Sequence, residues 1–252
     1  MARQQSHKTR ISCDGAAGSI PVELIWRKRQ RRIRLRLDTE AGELKVSAPK
    51  GVSKKKLLSF VEQEKEWIQK HWQRFEATTA QVRQEKDTRN KELYLWGEWW
   101  PVKTVSPGSK RGANTLILRL KSDHVECVGC DGGAVIPSDF KQQFIRRLAK
   151  TYIPGRVRSH AQAMELRPNK IFIRSQKTKW GSCSSNFNVN FNWRLIMCPL
   201  WIIDYLIVHE LCHLKYMNHS KAFWSLVDTH YGRRHEAEQW LKTNQFFLFN
   251  YP

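Results

Sequence analysis

The sequence lacks any run of apolar residues long enough to cross a membrane as a helix, so no membrane association is predicted. The basic N-terminus is not followed by an apolar stretch, so no secretory signal is expected. Acidic residues are scarce, with 23 Asp and Glu against 44 Lys and Arg, and the formal net charge is +21. The 6 cysteines are scattered rather than arranged as a disulfide framework, which favours a reduced, cytoplasmic protein.

The excess of positive charge favours polyanionic partners such as nucleic acid or nucleotides. It is most concentrated over residues 27–36, where arginines alternate with the apolar residues of a predicted strand, including Ile33 and Leu35. Two interpretations of this stretch stay open. It is either a phosphate-contacting surface or the solvated outer face of a strand that only improves solubility.

One stretch contains the residue types of a metal site. His209, Glu210 and His213 form an H-E-x-x-H pattern, and His219 follows six residues after the second histidine. Because four residues turn an α-helix by about 400°, His209 and His213 would project from one face and could bind one metal ion. Glu210 would lie where a carboxylate can take a proton from a metal-bound water, and His219 is the predicted third ligand.

The surroundings of this motif predict a helix. Apolar residues recur at helical spacing from Leu200 to Leu211, and Pro199 suits the first turn. Ser220 is a favourable N-cap for a following helix. The alternative is a buried helix whose histidines only form hydrogen bonds.

The pattern along the chain predicts an α+β fold with three parts. Residues 1–18 are predicted to form a disordered basic tail, and residues 19–136 a β-rich subdomain with a helix at about 53–75. Residues 137–252 are predicted to form a metallohydrolase domain. In it, apolar residues from Phe187 to Trp193 alternate with asparagines, which predicts a strand just before the motif helix. The edge of such a strand could hold an extended peptide.

Several of these segments together resemble the YgjP-like metallopeptidase family, which is related to the SprT-like proteins. The segments are Lys179-Trp-Gly-Ser-Cys-Ser184, Asn192-Trp-Arg-Leu195, Asp204-Tyr205, His209-Glu-Leu-Cys-His213 and Asn218-His-Ser-Lys-Ala-Phe-Trp224. The resemblance covers roughly residues 20–245. It implies zinc bound by His209, His213 and His219, with Glu210 catalytic. It also implies a zincin-like C-terminal domain whose motif helix packs on a small sheet.

The spacing of the three histidines also equals that of the metzincins. That pattern has glycine where this chain has Tyr216, and no Met-turn is evident, so the YgjP-like interpretation is preferred.

Three functions remain open. The first is a zinc-dependent metallopeptidase that hydrolyses peptide bonds through a metal-bound water activated by Glu210, acting on peptides or proteins, including proteins associated with nucleic acid. The second is a metal-dependent nucleoside triphosphate pyrophosphohydrolase that uses the same site, with Arg174, Lys177 and Lys179 holding phosphate. The third is a nucleic-acid-binding protein in which the zinc is structural.

The remaining roles in catalysis have several candidates each. Tyr216, His230, Tyr231 and Arg194 are candidate donors to an oxyanion. Asp204 and Glu236 are candidate hydrogen-bond partners for the metal-binding histidines.

Overall fold

The computed structural model describes residues 5–11, 19–38, 41–105, 117–129 and 136–251, and these residues form a mixed fold of helices and small sheets, as predicted. The strands are β1 (Gln5–Ile11), β2 (Ile20–Arg27), β3 (Arg34–Asp38), β4 (Glu43–Pro49), β5 (Glu92–Leu95), β6 (Glu98–Val105), β7 (Ile117–Leu120), β8 (Val125–Val128), β9 (Lys170–Arg174), β10 (Gly181–Cys183) and β11 (Asn188–Asn192). The helices are α1 (Lys54–Gln63), α2 (Lys65–Thr88), α3 (Ser138–Ala163), α4 (Leu200–Cys212), α5 (Lys221–His230) and α6 (Arg234–Asn250). A 3-10 helix over Trp193–Met197 leads into α4.

The first compact unit spans Met1–Gln84 and contains a four-stranded sheet in the order β1-β2-β4-β3. Alternation along β2 and β4 buries Leu24 and Val46 on one face, while the neighbouring residues point to the other face. Helices α1 and α2 pack on the apolar face through side chains such as Leu57 and Trp72. The opposite face carries polar and charged residues of β2, β4 and β3, such as Glu23, Lys45 and Arg36.

The predicted helix at 53–75 is divided into α1 and α2, and α2 continues to Thr88. Ser53 caps α1, and its hydroxyl accepts a hydrogen bond from the backbone N–H of Lys56. The predicted disordered tail contains strand β1, which pairs antiparallel with β2 along its whole length. Backbone pairing with a neighbouring strand therefore orders Gln5–Ile11, and residues 1–4 and 12–18 lie outside the described residues.

The second compact unit spans Glu85–Pro252 and has one large core. A four-stranded sheet in the order β5-β6-β8-β7 contributes Leu93 and Val125 to this core, and α3 and α4 contribute Ile153 and Ile203. The domain boundary predicted after residue 136 falls inside this unit.

A small three-stranded sheet lies beside α4, in the order β10-β11-β9. Strand β11 forms where a strand was predicted, and its alternation buries Val189 and Phe191. It pairs parallel with β9 and antiparallel with the short edge strand β10. Because β10 is at the edge, its outer backbone groups have no strand partner within the described residues.

The cysteines depart in part from the expectation of a fully reduced chain. Cys127 is disulfide-bonded, whereas Cys183, Cys198 and Cys212 are free. Among the described helices, none has the length and apolar character needed to span a bilayer.

Candidate metal and catalytic site

Helix α4 carries the first part of the histidine motif. It begins directly after Pro199, whose fixed φ of −51° suits a helix start, and apolar side chains are buried on nearly all of its sides. The helix ends at Cys212, and His213 is its C-cap residue with a helical backbone conformation. His209 and His213 are therefore one turn apart, and the centroids of their rings are 5.1 Å apart.

The chain turns back after α4 and brings His219 to the same place. Ser220 caps α5, as predicted, and its hydroxyl accepts a hydrogen bond from the backbone N–H of Phe223 at 3.3 Å. This fixes His219 immediately before the cap. The ring centroid of His219 is 5.1 Å from that of His209 and 4.8 Å from that of His213. The structure thus brings all three predicted histidines together, with their candidate ligand atoms within 4.8 Å of one another.

The spacing of the imidazole nitrogens fits a tetrahedral metal ion. Zinc–nitrogen bonds of about 2.0–2.1 Å at a tetrahedral angle place two ligand nitrogens about 3.3 Å apart. The Nε2 atoms of His209 and His219 are 3.2 Å apart. The Nδ1 of His213 lies 3.0 Å from the carbonyl oxygen of Tyr216, which can only accept a hydrogen bond. Nδ1 therefore carries the proton, and the Nε2 lone pair of His213 is free for a metal ion.

The electrostatics of His209 also suit metal binding. Burial lowers its pKa to about 3, and the neighbouring His213 and His219 lower it further in the same direction. Burial also lowers the pKa of His213, although its hydrogen bond to Tyr216 opposes this. Both rings are therefore neutral near pH 7, and neutral imidazole is the form that binds metal ions. The donor set fits zinc, which commonly binds three protein ligands and leaves one position open in catalytic sites.

Glu210 follows His209 on α4 and is almost fully buried, with 5% of its surface exposed. Its Oε2 makes no hydrogen bond to any described residue. Burial raises the pKa of this carboxyl to about 8, and the positive charge of Lys179 opposes the increase. The charge of a bound dication would favour the ionised form. A buried carboxylate oxygen without a partner is costly to stability, and such groups are found mainly where they serve a function.

Strand β10 passes directly against this carboxylate, and only a glycine fits there. A Cβ atom added at Gly181 would lie 2.5 Å from Oε1 of Glu210 and 2.6 Å from its Cγ. Burial raises the pKa of Cys183, two residues along the strand, to about 11, and the charge of Glu210 contributes to the increase. Gly181 therefore provides the space for Glu210, which sequence reasoning did not predict.

Asn192 holds the segment that leads into β10. Its side-chain amide donates hydrogen bonds to the carbonyl oxygens of Gln176, at 2.7 Å, and Lys179, at 3.0 Å. Its side-chain oxygen accepts a hydrogen bond from the backbone N–H of Arg194, in the first turn of the 3-10 helix that Asn192 caps. Asn192 is fully buried. A single amide thus connects the loop before Gly181 to the segment before α4.

Two aromatic side chains of helix α5 pack against the three histidines. The ring of Phe223 is fully buried and lies 4.5–5.0 Å, between centroids, from those of His209, His213 and His219. Trp224 stacks on His219, with centroids 5.3 Å apart. The sequence interpretation placed these aromatic residues on a helix and within a segment that carries the family resemblance, but gave them no role at the site. A signal was present, because residues three and four positions after an N-cap lie on the first turn, close to the residue before the cap.

The other candidate residues have partners that differ from the predicted ones. The hydroxyl of Tyr231 donates to the carbonyl oxygen of Trp201 at 2.7 Å, and the guanidinium of Arg194 stacks on Trp193 at 4.5 Å from the ring centroid. Neither group is shown facing the histidines. Their candidate roles as oxyanion donors therefore have no support in these contacts, and no contact among the described residues favours Tyr216 or His230 for this role.

The two predicted carboxylate partners of the histidines have other partners. Asp204 accepts two hydrogen bonds from Arg156, at 2.7 and 2.6 Å, and lies 3.0 Å from Nε2 of His160. Burial raises the pKa of Asp204, but the hydrogen bonds from His160 and Arg156 outweigh it, so the net shift is downward. Glu236 pairs with Arg233. The hydrogen-bond partner found for a motif histidine is instead a backbone carbonyl, which side-chain identity does not reveal.

Comparison with known proteins gives one extended match. A family model described as YgjP-like, metallopeptidase domain, matches residues 31–244. Two solved structures are similar to part of the chain, namely the zymogens of the metallopeptidases abylysin from Pyrococcus abyssi and jannalysin from Methanocaldococcus jannaschii. Abylysin is 19% identical, covering 37% of this chain and 95% of its own, with a TM-score of 0.34. Jannalysin is 21% identical, and the match covers 37% of this chain and 96% of the jannalysin chain, with a TM-score of 0.34. These structural similarities are too weak to relate the folds. No curated protein matches the chain.

Proposed function

Because this chain belongs to the YgjP-like metallopeptidase family, we propose that it is a zinc-dependent peptidase whose metal is held by His209, His213 and His219. The observation that carries this proposal is the meeting of three imidazoles with a buried carboxylate, Glu210, whose Oε2 lacks a hydrogen-bond partner within the described residues. In a structural zinc site four side chains usually close the ion off. Within the described residues, the cluster contains three such side chains, which supports a catalytic site.

When bound, the zinc would supply a Lewis acid that polarises the substrate carbonyl and lowers the pKa of a coordinated water towards about 7. Glu210 would accept the proton of the attacking water and pass it to the leaving amine. Its position next to His209 and its confinement by Gly181 would hold the carboxylate in a single orientation. The Tyr216 carbonyl would keep the proton of His213 on Nδ1.

The edge strand β10 supports a peptide as substrate. Within the described residues its outer backbone groups have no strand partner and would be available to an extended chain, and its first residue, Gly181, borders Glu210. A substrate added to the sheet in this way would bring its main chain beside the carboxylate. This arrangement would recognise a backbone rather than particular side chains. We propose that this sheet and α4 make up a zincin-like core.

The test is a comparison of two substrate classes with the full chain. Purified protein is first analysed for its metal content, and then incubated with a mixture of fluorogenic peptides or with nucleoside triphosphates. Glu210→Gln is the control, because it keeps the shape of the side chain but cannot act as a base. Peptide hydrolysis that is lost in the variant, with zinc retained, supports the proposal.

The other outcomes contradict it. Hydrolysis only of nucleoside triphosphates, also lost in Glu210→Gln, would identify a pyrophosphohydrolase. Bound zinc with turnover of neither class would favour a structural metal. Peptide hydrolysis that survives in Glu210→Gln would mean that another group activates water.

A further inference from the structure

The strongest charge on the described surface lies in the first compact unit. Seven cations occur in the ten residues 27–36, with no acidic residue among them: Arg27, Lys28, Arg29, Arg31, Arg32, Arg34 and Arg36. All seven side chains are exposed. Arg36 lies 3.8 Å from Asp38, but the structure shows no ion pair for the other six within the described residues. Such concentrated, unneutralised charge produces a field that attracts polyanions. These seven residues are referred to below as the basic patch.

The patch is built on the sheet rather than on a free tail. Arg27 lies on β2, and Arg34 and Arg36 lie on β3. These two strands flank β4, and the register places Arg34 opposite Ser47. Gln30 fixes the connection between them. Its side-chain amide lies 2.6 Å from the backbone carbonyl of Ser47 and 2.6 Å from that of Arg32. The cations are therefore presented on a connection that is already tied to the sheet, which lowers the entropy lost on binding.

The acidic residues of the same sheet face have partners of their own. Lys45 lies 2.8 Å from Asp38, 3.6 Å from Glu23 and 3.4 Å from Glu43. Lys45, Asp38 and Glu23 line a cleft of about 390 Å³, together with Arg27 and Arg36 of the patch. Lys45 and Lys8, which lies 3.4 Å from Glu43, offset two of these three negative charges, so the carboxylates cancel little of the charge of the seven patch cations. The field is then strongest at the end of the sheet that carries the β2–β3 connection.

We propose that this surface binds the phosphate backbone of double-stranded nucleic acid. Six of the seven cations are arginine, whose planar guanidinium binds phosphate through two parallel hydrogen bonds. A binder of single strands would be expected to present aromatic rings for base stacking. Trp26, the aromatic residue next to the patch, packs against the apolar core and donates its indole N–H to the carbonyl of Val52.

An anionic membrane is the less favoured partner. Stable attachment to a lipid surface usually combines basic residues with apolar side chains that insert between the lipids. In the described part of this unit, the large apolar side chains that are exposed, Leu58 and Trp67, lie on α1 and α2. Those helices pack on the opposite face of the sheet. The patch therefore offers charge without an apolar anchor.

The experiment measures the binding of the full chain to a labelled DNA duplex of about 20 base pairs by fluorescence anisotropy. If the unpaired cations neutralise about five phosphates, affinity should fall about 500-fold between roughly 50 and 200 mM salt. The triple variant Arg29→Glu, Arg31→Glu, Arg32→Glu should weaken binding by about 100-fold or more. The matched control, Lys55→Glu, Lys70→Glu, Arg74→Glu, has the same net charge but changes the helices. This control should bind the duplex less than about tenfold more weakly than the unaltered protein, because charges far from the bound DNA are screened by salt.

Several results would overturn the proposal. Equal losses in the two triple variants would mean that the whole protein's charge, and not this surface, attracts DNA. Tighter binding to a single strand of the same length, or to vesicles with about 30% phosphatidylserine, would identify another partner. A flat salt dependence of the unaltered protein would exclude phosphate contacts whether or not the variants fold. Binding is measured without substrate, so its failure leaves the proposed peptidase activity untouched.

Discussion

Replacing Gly181 with alanine should separate catalysis from metal binding at this site. The new methyl group would lie 2.5–2.7 Å from Oε1, Cγ and Cδ of Glu210, whereas relaxed contacts of this kind are about 3.5–4.0 Å. Glu210 must therefore move by about 1 Å. A displacement of this size can lower activity by about 100-fold, which corresponds to about 2.7 kcal/mol of transition-state stabilisation.

The assay measures kcat/KM for hydrolysis of a fluorogenic peptide. Zinc content and the free energy of unfolding are measured on the same samples. Zinc content should stay at the level of the unaltered protein, because the added methyl group meets Glu210 and not the histidines. Gly155→Ala in α3 is the matched control, since nothing lies within 4 Å of a Cβ added there. The control should retain full activity and be about 0.5–1 kcal/mol more stable, because alanine favours a helix. Full activity in Gly181→Ala would refute the reasoning.

Three further predictions follow from the described contacts. Substituting His219 with alanine should lower zinc affinity by more than about 100-fold and remove activity. As a control, alanine at the exposed His230 should change neither. A normal zinc content in the His219 variant would exclude His219 as a ligand. Asn192→Asp should reduce the free energy of unfolding in urea by about 2–4 kcal/mol, since it loses two donated hydrogen bonds in a buried position; an unchanged midpoint would contradict this. The pKa of Asp204 is lowered in the folded protein, so its stabilisation is present above its unfolded pKa of about 4 and is lost as the pH falls below it. Asp204→Asn should therefore be less stable by about 1–2 kcal/mol at pH 7, and a difference that persists at pH 2 would argue against this linkage.

Local patterns in the sequence predicted the parts of the site that depend on local geometry. The period of the α-helix relates His209 to His213, and the capping chemistry of Ser220 marks the start of α5. The family match confirms the resemblance drawn from the scattered motifs. The roles of the three histidines and Glu210 stay predictions, although the structure brings these residues together.

The parts that sequence reasoning missed depend on contacts between distant segments. Gly181 and Glu210 are 29 positions apart, and only the packing of β10 on α4 makes the glycine necessary. Asn192 was read as one of three equivalent asparagines, but its two donated hydrogen bonds reach back to a loop that ends 13 residues earlier. Strand β1 was missed because its stability comes from pairing with β2 rather than from its own polar sequence. The domain boundary predicted after residue 136 stays a prediction.

The packing of Phe223 has a practical consequence for handling the protein. The three imidazoles all contact one buried hydrocarbon ring, which would hold their mutual spacing with or without a metal ion. Extraction with a chelator should therefore leave the backbone folded and the ligand geometry intact. Cobalt or nickel could then be introduced by simple dialysis, without a cycle of denaturation and renaturation.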